Sequence, residues 1–218
     1  MIFKQNLINN NIIMGTGGNE PTVEHKNELD GGEGDDCLCV CCKIFCFHSN
    51  TMIKLLEKDK IINKRISDIH KGDQVLTYDG KNKIISKVTK NLKNKGLFEF
   101  FTIKCKDQNL NIKMITITGN HTMIIYQKIK HELAFRYANQ VKIGDLFITP
   151  DGLFEVYEIK KEMMNNSYEM RVEDGTVLAN DILVSTLYLE KNEIFKNQKK
   201  IINSFKNEYE YENLNLTI

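Results

Sequence analysis

Residues 46–53 read CFHSNTMI, and the character of the sequence changes at the cysteine that opens this stretch. Before Cys46 the chain is rich in Gly, Glu, Asp and Asn, with almost no large apolar side chains between residues 14 and 36. Such a segment cannot bury enough apolar surface to offset its ordering entropy. After Cys46, short runs of β-branched and aromatic residues alternate with turn dipeptides. We therefore expect residues 1–45 to be a disordered, cysteine-rich leader, with a folded domain starting at Cys46.

That domain is predicted to be all-β and to extend over residues 46–188. Its candidate strands are Thr51–Leu55, Gln74–Tyr78, Ile84–Lys90, Phe98–Lys104, Asn111–Thr118, Met123–Lys128, Leu146–Thr149, Phe154–Lys160, Tyr168–Val172, Val177–Ala179 and Ile182–Leu187. Asp-Gly dipeptides beginning at residues 79, 151 and 174 mark turns between them. Residues 189–218 carry Lys, Glu and Asn around a few apolar side chains, which predicts an amphipathic helical tail.

An internal repeat indicates two related halves. Residues 68–80 read DIHKGDQVLTYDG and residues 140–152 read QVKIGDLFITPDG, so that Gly, Asp, Thr, Asp and Gly coincide at a constant offset of 72. A solenoid needs three or more units, whereas a single duplication gives two pseudo-symmetric halves. We expect the two segments to form equivalent strand–turn units of one β fold.

Composition argues against several classes of function. The 218 residues carry 30 basic and 29 acidic side chains, so neither a nucleic-acid-binding field nor a polybasic membrane surface is indicated. No apolar stretch approaches the roughly 18 residues needed to span a bilayer, and Asn and Gln interrupt the first residues too often for a signal peptide. We expect a cytoplasmic monomer without nucleic-acid or membrane partners.

Five of the six cysteines lie between residues 37 and 46, and only Cys105 lies elsewhere. A disulfide framework would spread its cysteines along the chain. Residues 39–42 (CVCC) contain a C-x-x-C spacing, but no second Cys or His pair lies where a zinc site would need one. We therefore predict neither a metal site nor a cofactor, and interpret the cluster as a thiol-rich tail, with lipidation as an alternative.

Cys46 is a candidate nucleophile because it lies at the boundary between leader and domain. Attack of its thiol on the carbonyl of Phe45 would form a five-membered ring and replace the Phe45–Cys46 amide by a thioester. No separate substrate-binding step is needed, because the nucleophile and the carbonyl are already joined. The reaction does need thiolate character on sulfur and a proton for the departing nitrogen.

A second segment, Thr118-Gly-Asn-His121, lies at a turn between two apolar strands and contains candidates for that proton transfer. An imidazole with its ordinary pKa of about 6.5 can donate or accept a proton at physiological pH. A threonine hydroxyl three residues earlier can hydrogen-bond the same peptide group. Taken one at a time, a buried cysteine and a loop histidine more often have structural roles, so the combination carries the hypothesis.

Together these segments resemble the Hint family, which comprises inteins and the hedgehog autoprocessing domain, and the resemblance is closest to the hedgehog type. The segments that carry it are Cys46-Phe47, Gly72-Asp73, Thr118-x-x-His121 and residues 175–186 (GTVLANDILVST). The resemblance extends from Cys46 to about Tyr188 and implies a flat, horseshoe-like β fold with two pseudo-symmetric halves. It also implies an N-to-S acyl shift before Cys46, with His121 protonating the departing nitrogen and Thr118 holding the scissile peptide.

Several residues differ from the family's pattern, and these differences argue against full splicing and against a sterol acceptor. Phe45 stands where hedgehog-type domains usually have glycine. Ser185-Thr186 stand where inteins end in His-Asn, so asparagine cyclisation and full splicing are not predicted. Lys93 falls near the position of the acid thought to activate the sterol in hedgehog proteins. We therefore expect water, or a small thiol or amine, rather than a sterol, to resolve the thioester.

The resulting hypothesis is a self-cleaving, cysteine-dependent domain that acts once, in cis, on its own leader. One alternative is a cysteine hydrolase that acts in trans through Cys46 and His121, although such enzymes usually place the cysteine at the start of a helix. The other is a degenerate, non-catalytic Hint fold that serves as a binding module.

Overall fold

The computed structural model describes residues 45–187 and 199–204, in which antiparallel strands dominate. The strands are β1 (Met52–Glu57), β2 (Lys60–Arg65), β3 (Gln74–Tyr78), β4 (Lys83–Lys106), β5 (Ile112–Thr118), β6 (Thr122–Gln127), β7 (Glu132–Tyr137), β8 (Leu146–Thr149), β9 (Gly152–Val172), β10 (Thr176–Ala179) and β11 (Ile182–Ser185). Residues 199–204 form a short helix, α1. The all-β prediction is confirmed. The leader up to residue 44 and most of the proposed tail lie outside the described residues.

The long strands β4 and β9 pair antiparallel along most of their lengths and connect the remaining strands. The sequence predicted two strands in each of these regions, and that division was wrong. In β4 the polar sequence around Gly96 is typical of a loop. In the structure the strand continues through it, and the pairing with β9 changes register between Asn94 and Leu97. Gly96 has φ +131°, a backbone conformation that glycine tolerates and other residues rarely adopt.

Two strands, β2 and β7, were not predicted: β2 (KIINKR) is mostly polar, and β7 (ELAFRY) directly follows a charged segment, residues 128–131, that was interpreted as a loop. Each completes a hairpin with a predicted strand, β2 with β1 and β7 with β6. The β1–β2 hairpin closes through Lys58-Asp59, whose φ angles of 47° and 61° match the primed turn that suits twisted strands. Polar side chains on such outer strands discourage edge-to-edge association.

The sequence repeat corresponds to the same local bonding in both halves. Gly72 and Gly144 have φ angles of +98° and +88°. The carboxylates of Asp73 and Asp145 each accept a hydrogen bond from the backbone N–H three residues earlier, at 2.9 and 2.8 Å. The two predicted strand–turn units are therefore equivalent, with β3 and β8 as their strands.

The symmetry extends to two tight turns, residues 48–51 (HSNT) and 118–121 (TGNH). In each turn the fourth residue's N–H donates to the first residue's carbonyl, at 3.0 and 2.9 Å. The residues that precede the two turns, Phe47 and Ile117, pair with each other in an isolated antiparallel bridge. Equivalent turns from the two halves are thereby brought side by side.

Helix α1 closes one of two hydrophobic clusters. Its Ile201 is fully buried in a cluster that includes Leu76 and Tyr126, and Lys200 lies 3.5 Å from the carboxylate of Asp79. The helix packs on Gly80 so closely that a Cβ there would lie 2.6 Å from the Ile201 Cα. Within the described residues no helix is long and apolar enough to cross a membrane.

The repeat supplies a matched test of this packing, because Gly80 and Gly152 are equivalent positions with φ angles of +99° and +117°. Alanine at either position should cost about 1–3 kcal/mol through backbone strain. Only Gly80→Ala also collides with α1, so it should lose a further ~1–3 kcal/mol of unfolding free energy. Urea denaturation measures both, and equal losses would show that α1 does not pack at Gly80.

Candidate functional site

The peptide group of Cys46 is held by Thr118. The Cys46 N–H, which belongs to the Phe45–Cys46 amide, donates to the Thr118 hydroxyl oxygen at 3.0 Å. The Thr118 N–H donates to the Cys46 carbonyl at 2.9 Å, and the Thr118 hydroxyl lies 3.4 Å from that same carbonyl. The candidate scissile amide is therefore fixed by strand pairing and by a side chain, both from the turn that the sequence singled out.

His121 lies against this peptide and is 1% exposed. Its Nε2 is 2.9 Å from the carbonyl oxygen of Ser185. A carbonyl can only accept a hydrogen bond, so Nε2 carries the proton and the neutral ring keeps a lone pair on Nδ1. That Nδ1 is buried and has no hydrogen-bond partner in the described part of the chain. The rings of Phe45 and Phe47 pack edge-on around the imidazole, with centroids 6.2 and 4.5 Å away.

Burial sets the charge of His121. Desolvation lowers its pKa to about 4, against smaller opposing effects of the Ser185 and Cys46 carbonyls. The Cys46 carbonyl acts by proximity and does not complete a hydrogen bond to Nδ1. From the sequence alone, an ordinary imidazole with a pKa of about 6.5 was expected at this position. In the structure the ring is neutral at physiological pH and starts as a proton acceptor.

The Cys46 thiol is also enclosed, with no exposed surface. Asn94 Nδ2 donates to its sulfur at 3.2 Å. The pKa of the thiol is raised to about 12, mainly by burial and to a smaller extent by Glu169, while the Ser167 and Asn94 side chains and Lys90 oppose the shift. The resting thiol is therefore protonated, and the nearest groups that favour its ionisation are mostly neutral hydrogen-bond donors.

The structure thus brings together all four residues that the sequence placed in the site: Phe45, Cys46, Thr118 and His121. It adds Asn94 and Ser167, which no sequence motif indicated, and Ser185, which lies in the segment 175–186 but was given no role at the site. Asn94 and Ser167 face each other across β4 and β9. That pairing could not be read from positions 73 residues apart, and Ser185 takes part through its backbone alone.

Lys93, which the family resemblance put near the position of a sterol-activating acid, is not among the side chains that act on the Cys46 sulfur. It is exposed, and as the neighbour of Asn94 on β4 it points to the opposite face of the strand. Asn94 is the residue that reaches the sulfur. Within the described residues, no group of three His, Cys, Asp or Glu side chains could hold a metal ion. Cys37, Cys39, Cys41 and Cys42 lie outside those residues, so their interpretation stays a prediction.

Comparison with known proteins identifies the fold. No family model and no curated protein matches the sequence. Among solved structures, a bacterial intein-like domain from Clostridium thermocellum matches with a TM-score of 0.50 and 20% identity over 64% of this chain and 97% of that domain. The DnaB intein from Synechocystis matches with a TM-score of 0.51 and 14% identity, over 65% and 97%. An intein from a hyperthermophile matches with a TM-score of 0.55 and 12% identity, over 65% and 99%.

At such identities the likeness establishes the fold alone. The chain has the Hint-type β fold of these inteins, as the sequence motifs predicted. The matches give no support to a hedgehog-type specialisation within that fold, which stays a prediction.

The buried imidazole predicts how stability depends on pH. Because the folded-state pKa of His121 is about 4 and the unfolded value is about 6.5, the unfolded chain binds the extra proton first as pH falls. The contribution of His121 to unfolding free energy should therefore be lost between about pH 6.5 and 4, a change of about 3 kcal/mol. Urea denaturation of wild type and His121→Gln at several pH values isolates this slope. Parallel stability curves for the two proteins would contradict a buried neutral ring.

Proposed function

We propose that this chain, whose fold is that of inteins, cleaves its own backbone between Phe45 and Cys46 through a thioester. The observation that carries the proposal is the bonding of one peptide group. The Cys46 amide lies against the Thr118 hydroxyl, close to a buried imidazole, and the nucleophilic sulfur belongs to the same residue. These contacts support a site in which the nucleophile and the acceptor carbonyl belong to adjacent residues and the proposed proton carrier is buried nearby.

The first step is an N-to-S acyl shift with a closed proton balance. The bare Nδ1 of His121 takes the thiol proton, and the sulfur attacks the Phe45 carbonyl carbon. The resulting imidazolium, held by the Ser185 carbonyl, then gives the proton to the Cys46 nitrogen as the C–N bond breaks. The amide becomes a thioester and a free amine, and the imidazole returns to its neutral form.

The burial of Cys46 supports reaction in cis. A thiol without exposed surface cannot meet an external peptide, but its own preceding carbonyl is always within reach. The cysteine is followed by a turn and strand β1, not by the helix start that cysteine hydrolases commonly use. These features favour self-cleavage over a hydrolase that acts on other chains.

In the second step, water or a small thiol or amine resolves the thioester. With water, the acyl carbon gains a hydroxyl, the C–S bond breaks and the proton moves to sulfur, which leaves a carboxylate at Phe45 and an amino group at Cys46. The acid that the family resemblance associates with sterol activation has no counterpart beside the sulfur, because the neighbour of the sulfur on β4 is the amide of Asn94. Asn94 has no basic lone pair, so sterol transfer is not part of the proposal.

A non-catalytic binding module is the second candidate, and the protonated thiol favours it. A sulfur with a pKa of about 12 is inert unless a base and hydrogen-bond donors assist it. The experiment below separates the two functions, because a binding module would stay intact under every condition that resolves thioesters.

Dithiothreitol or hydroxylamine should release a fragment that begins at Cys46, because both reagents intercept a thioester but leave an ordinary amide. Intact mass spectrometry of freshly purified protein, with and without reagent, measures the release. Cys46→Ala should abolish it, since no sulfur remains to accept the acyl group. Cleavage of Cys46→Ala at the wild-type rate would exclude the mechanism.

The proposed roles of His121 and Thr118 predict different reductions in the rate of thioester formation when each residue is replaced. His121→Gln removes the carrier and should slow thioester formation by about 10²–10⁴-fold. Thr118→Val keeps the side-chain shape but removes the hydroxyl that holds the Cys46 N–H, so it should slow the reaction less. Cys105→Ser is the control, since Cys105 lies in the core beside the Lys113 carbonyl and should leave the rate unchanged. The rates are measured at saturating dithiothreitol or hydroxylamine, so that thioester formation limits the release of the fragment.

If Cys105→Ser slowed thioester formation as much as His121→Gln, the active centre would be misplaced.

The dependence of the rate on pH tests the protonation states of the resting site. Thiol and imidazole are both neutral between about pH 4 and pH 12, so the acyl shift itself should be nearly independent of pH from 6 to 8. A rate that follows a titration near pH 6.5 would contradict the neutral resting state.

A further inference from the structure

We propose that Asn94 and Ser167 form a thiolate-binding pair that stabilises negative charge on the Cys46 sulfur during the acyl shift. The inference rests on the proposed self-cleavage and specifies how the enclosed sulfur becomes nucleophilic. It assigns a catalytic role to two residues that belong to none of the segments on which the family resemblance rests.

The long ladder of β4 and β9 places the two side chains. Asn94 and Ser167 are direct cross-strand partners, so both side chains project from the same face of the sheet. The regular pairing stops immediately beyond them, at the register shift between Asn94 and Leu97. Asn94 donates its amide N–H to Cys46 Sγ at 3.2 Å, which shows that this face is directed at the sulfur. Ser167, its partner, has no exposed surface.

The state of the Ser167 hydroxyl supports the role. Its oxygen is buried and has no partner at full hydrogen-bonding geometry within the described part of the chain, yet the hydroxyl is close enough to the sulfur to lower the pKa of the Cys46 thiol. A neutral thiol is a weak acceptor, so little is gained by turning the O–H toward it. A thiolate is a strong acceptor. We therefore expect the Ser167 hydroxyl to donate a hydrogen bond to the sulfur only when negative charge develops on it.

A group that binds the charged form better than the resting form speeds the step that creates the charge. Asn94 and Ser167 both lower the pKa of the Cys46 thiol, against the dominant effect of burial. The ladder fixes the backbone of both donors before the reaction, so that only the Ser167 O–H has to turn when the proton leaves. Charge-assisted hydrogen bonds of this kind are about twice as strong as neutral ones.

Charged side chains near the site also affect how readily the Cys46 thiol ionises. Glu169, two residues after Ser167 on β9, disfavours the thiolate, and Lys90 favours it. Lys90 and Glu169 bind each other at 2.9 Å, and Arg171 also bonds Glu169, at 2.8 Å, so the carboxylate is largely compensated. His121 is neutral at rest. Near the sulfur, the donors that touch it are thus uncharged.

The first experiment compares two substitutions of equal shape. Ser167→Thr and Ser167→Val add the same bulk at a buried position, and only threonine keeps the hydroxyl. We expect Ser167→Thr to form the thioester about 10- to 100-fold faster than Ser167→Val, the range for a hydrogen bond to a charged group. Ser167→Ala, which needs no extra space, should be slowed to a similar degree relative to wild type. Each rate comes from fragment release at saturating dithiothreitol.

The second experiment tests Asn94 with a control from the same strand. Asn94→Leu removes the donor with little change of volume and should slow the acyl shift about 10- to 100-fold. Asn91→Leu is the control, because Asn91 also donates two side-chain bonds, but to the Ile66 and Ile69 carbonyls away from the sulfur. Asn91→Leu should lower the unfolding free energy and leave the rate of the folded protein unchanged. Asn94→Asp should be slower than Asn94→Leu, since it places a like charge beside the thiolate.

A third variant is expected to accelerate the reaction instead of slowing it. Glu169→Gln removes the charge that disfavours the thiolate and should speed thioester formation. The proposal is overturned if wild type cleaves but Ser167→Val matches Ser167→Thr, or if Asn94→Leu slows no more than Asn91→Leu. Absence of any thiol-induced cleavage in wild type would instead refute the proposed function, so the two failures are distinguishable.

Discussion

The pairing of residues 46–48 with residues 116–118 is the constraint on which this molecule depends. It brings Phe47 against Ile117 and aligns the Cys46 peptide with Thr118. Phe47 also pairs with Tyr168, so the segment is tied through Phe47 to β9 next to Ser167. The short segment is completely buried at Cys46 and Phe47. Fold and candidate chemistry therefore share one set of hydrogen bonds, and a change that weakens the pairing would affect both.

The sequence predicted what is local and repeated. The bounds of β3 and β8 follow from alternation between Gly-Asp and Asp-Gly turns, and Thr118-x-x-His121 could be placed at a turn because apolar strands flank it. It could not predict the continuity of β4 and β9, since a register shift is decided by the partner strand. Asn94 and Ser167 were missed for the same reason. Each is an ordinary polar residue until the ladder sets it beside the sulfur.

Burial gives the site its resting character. Both ionisable groups are shifted away from their charged forms, with a thiol pKa of about 12 and an imidazole pKa of about 4. At pH 7 only about one thiol in 10⁵ would be ionised without help, so a free thiolate cannot be the starting species. In the proposed step, transfer of the thiol proton to the neutral imidazole creates an ion pair, so it must proceed together with attack of the sulfur on the Phe45 carbonyl and with hydrogen bonds donated to the sulfur. The arrangement suits an acyl shift in which the proton passes between buried groups and not through solvent.

The scattered origin of the site has a consequence for folding. Its side chains come from residues 46, 94, 118, 121 and 167, with a carbonyl from residue 185, so it spans about 140 positions of sequence. Contacts between such distant residues form late, because chain entropy must be spent before they contribute. A nascent or partly folded chain therefore lacks the catalytic geometry. If the chain severs itself, the cut would record that the last long-range strand has paired, and the leader would remain attached to any molecule that failed to fold.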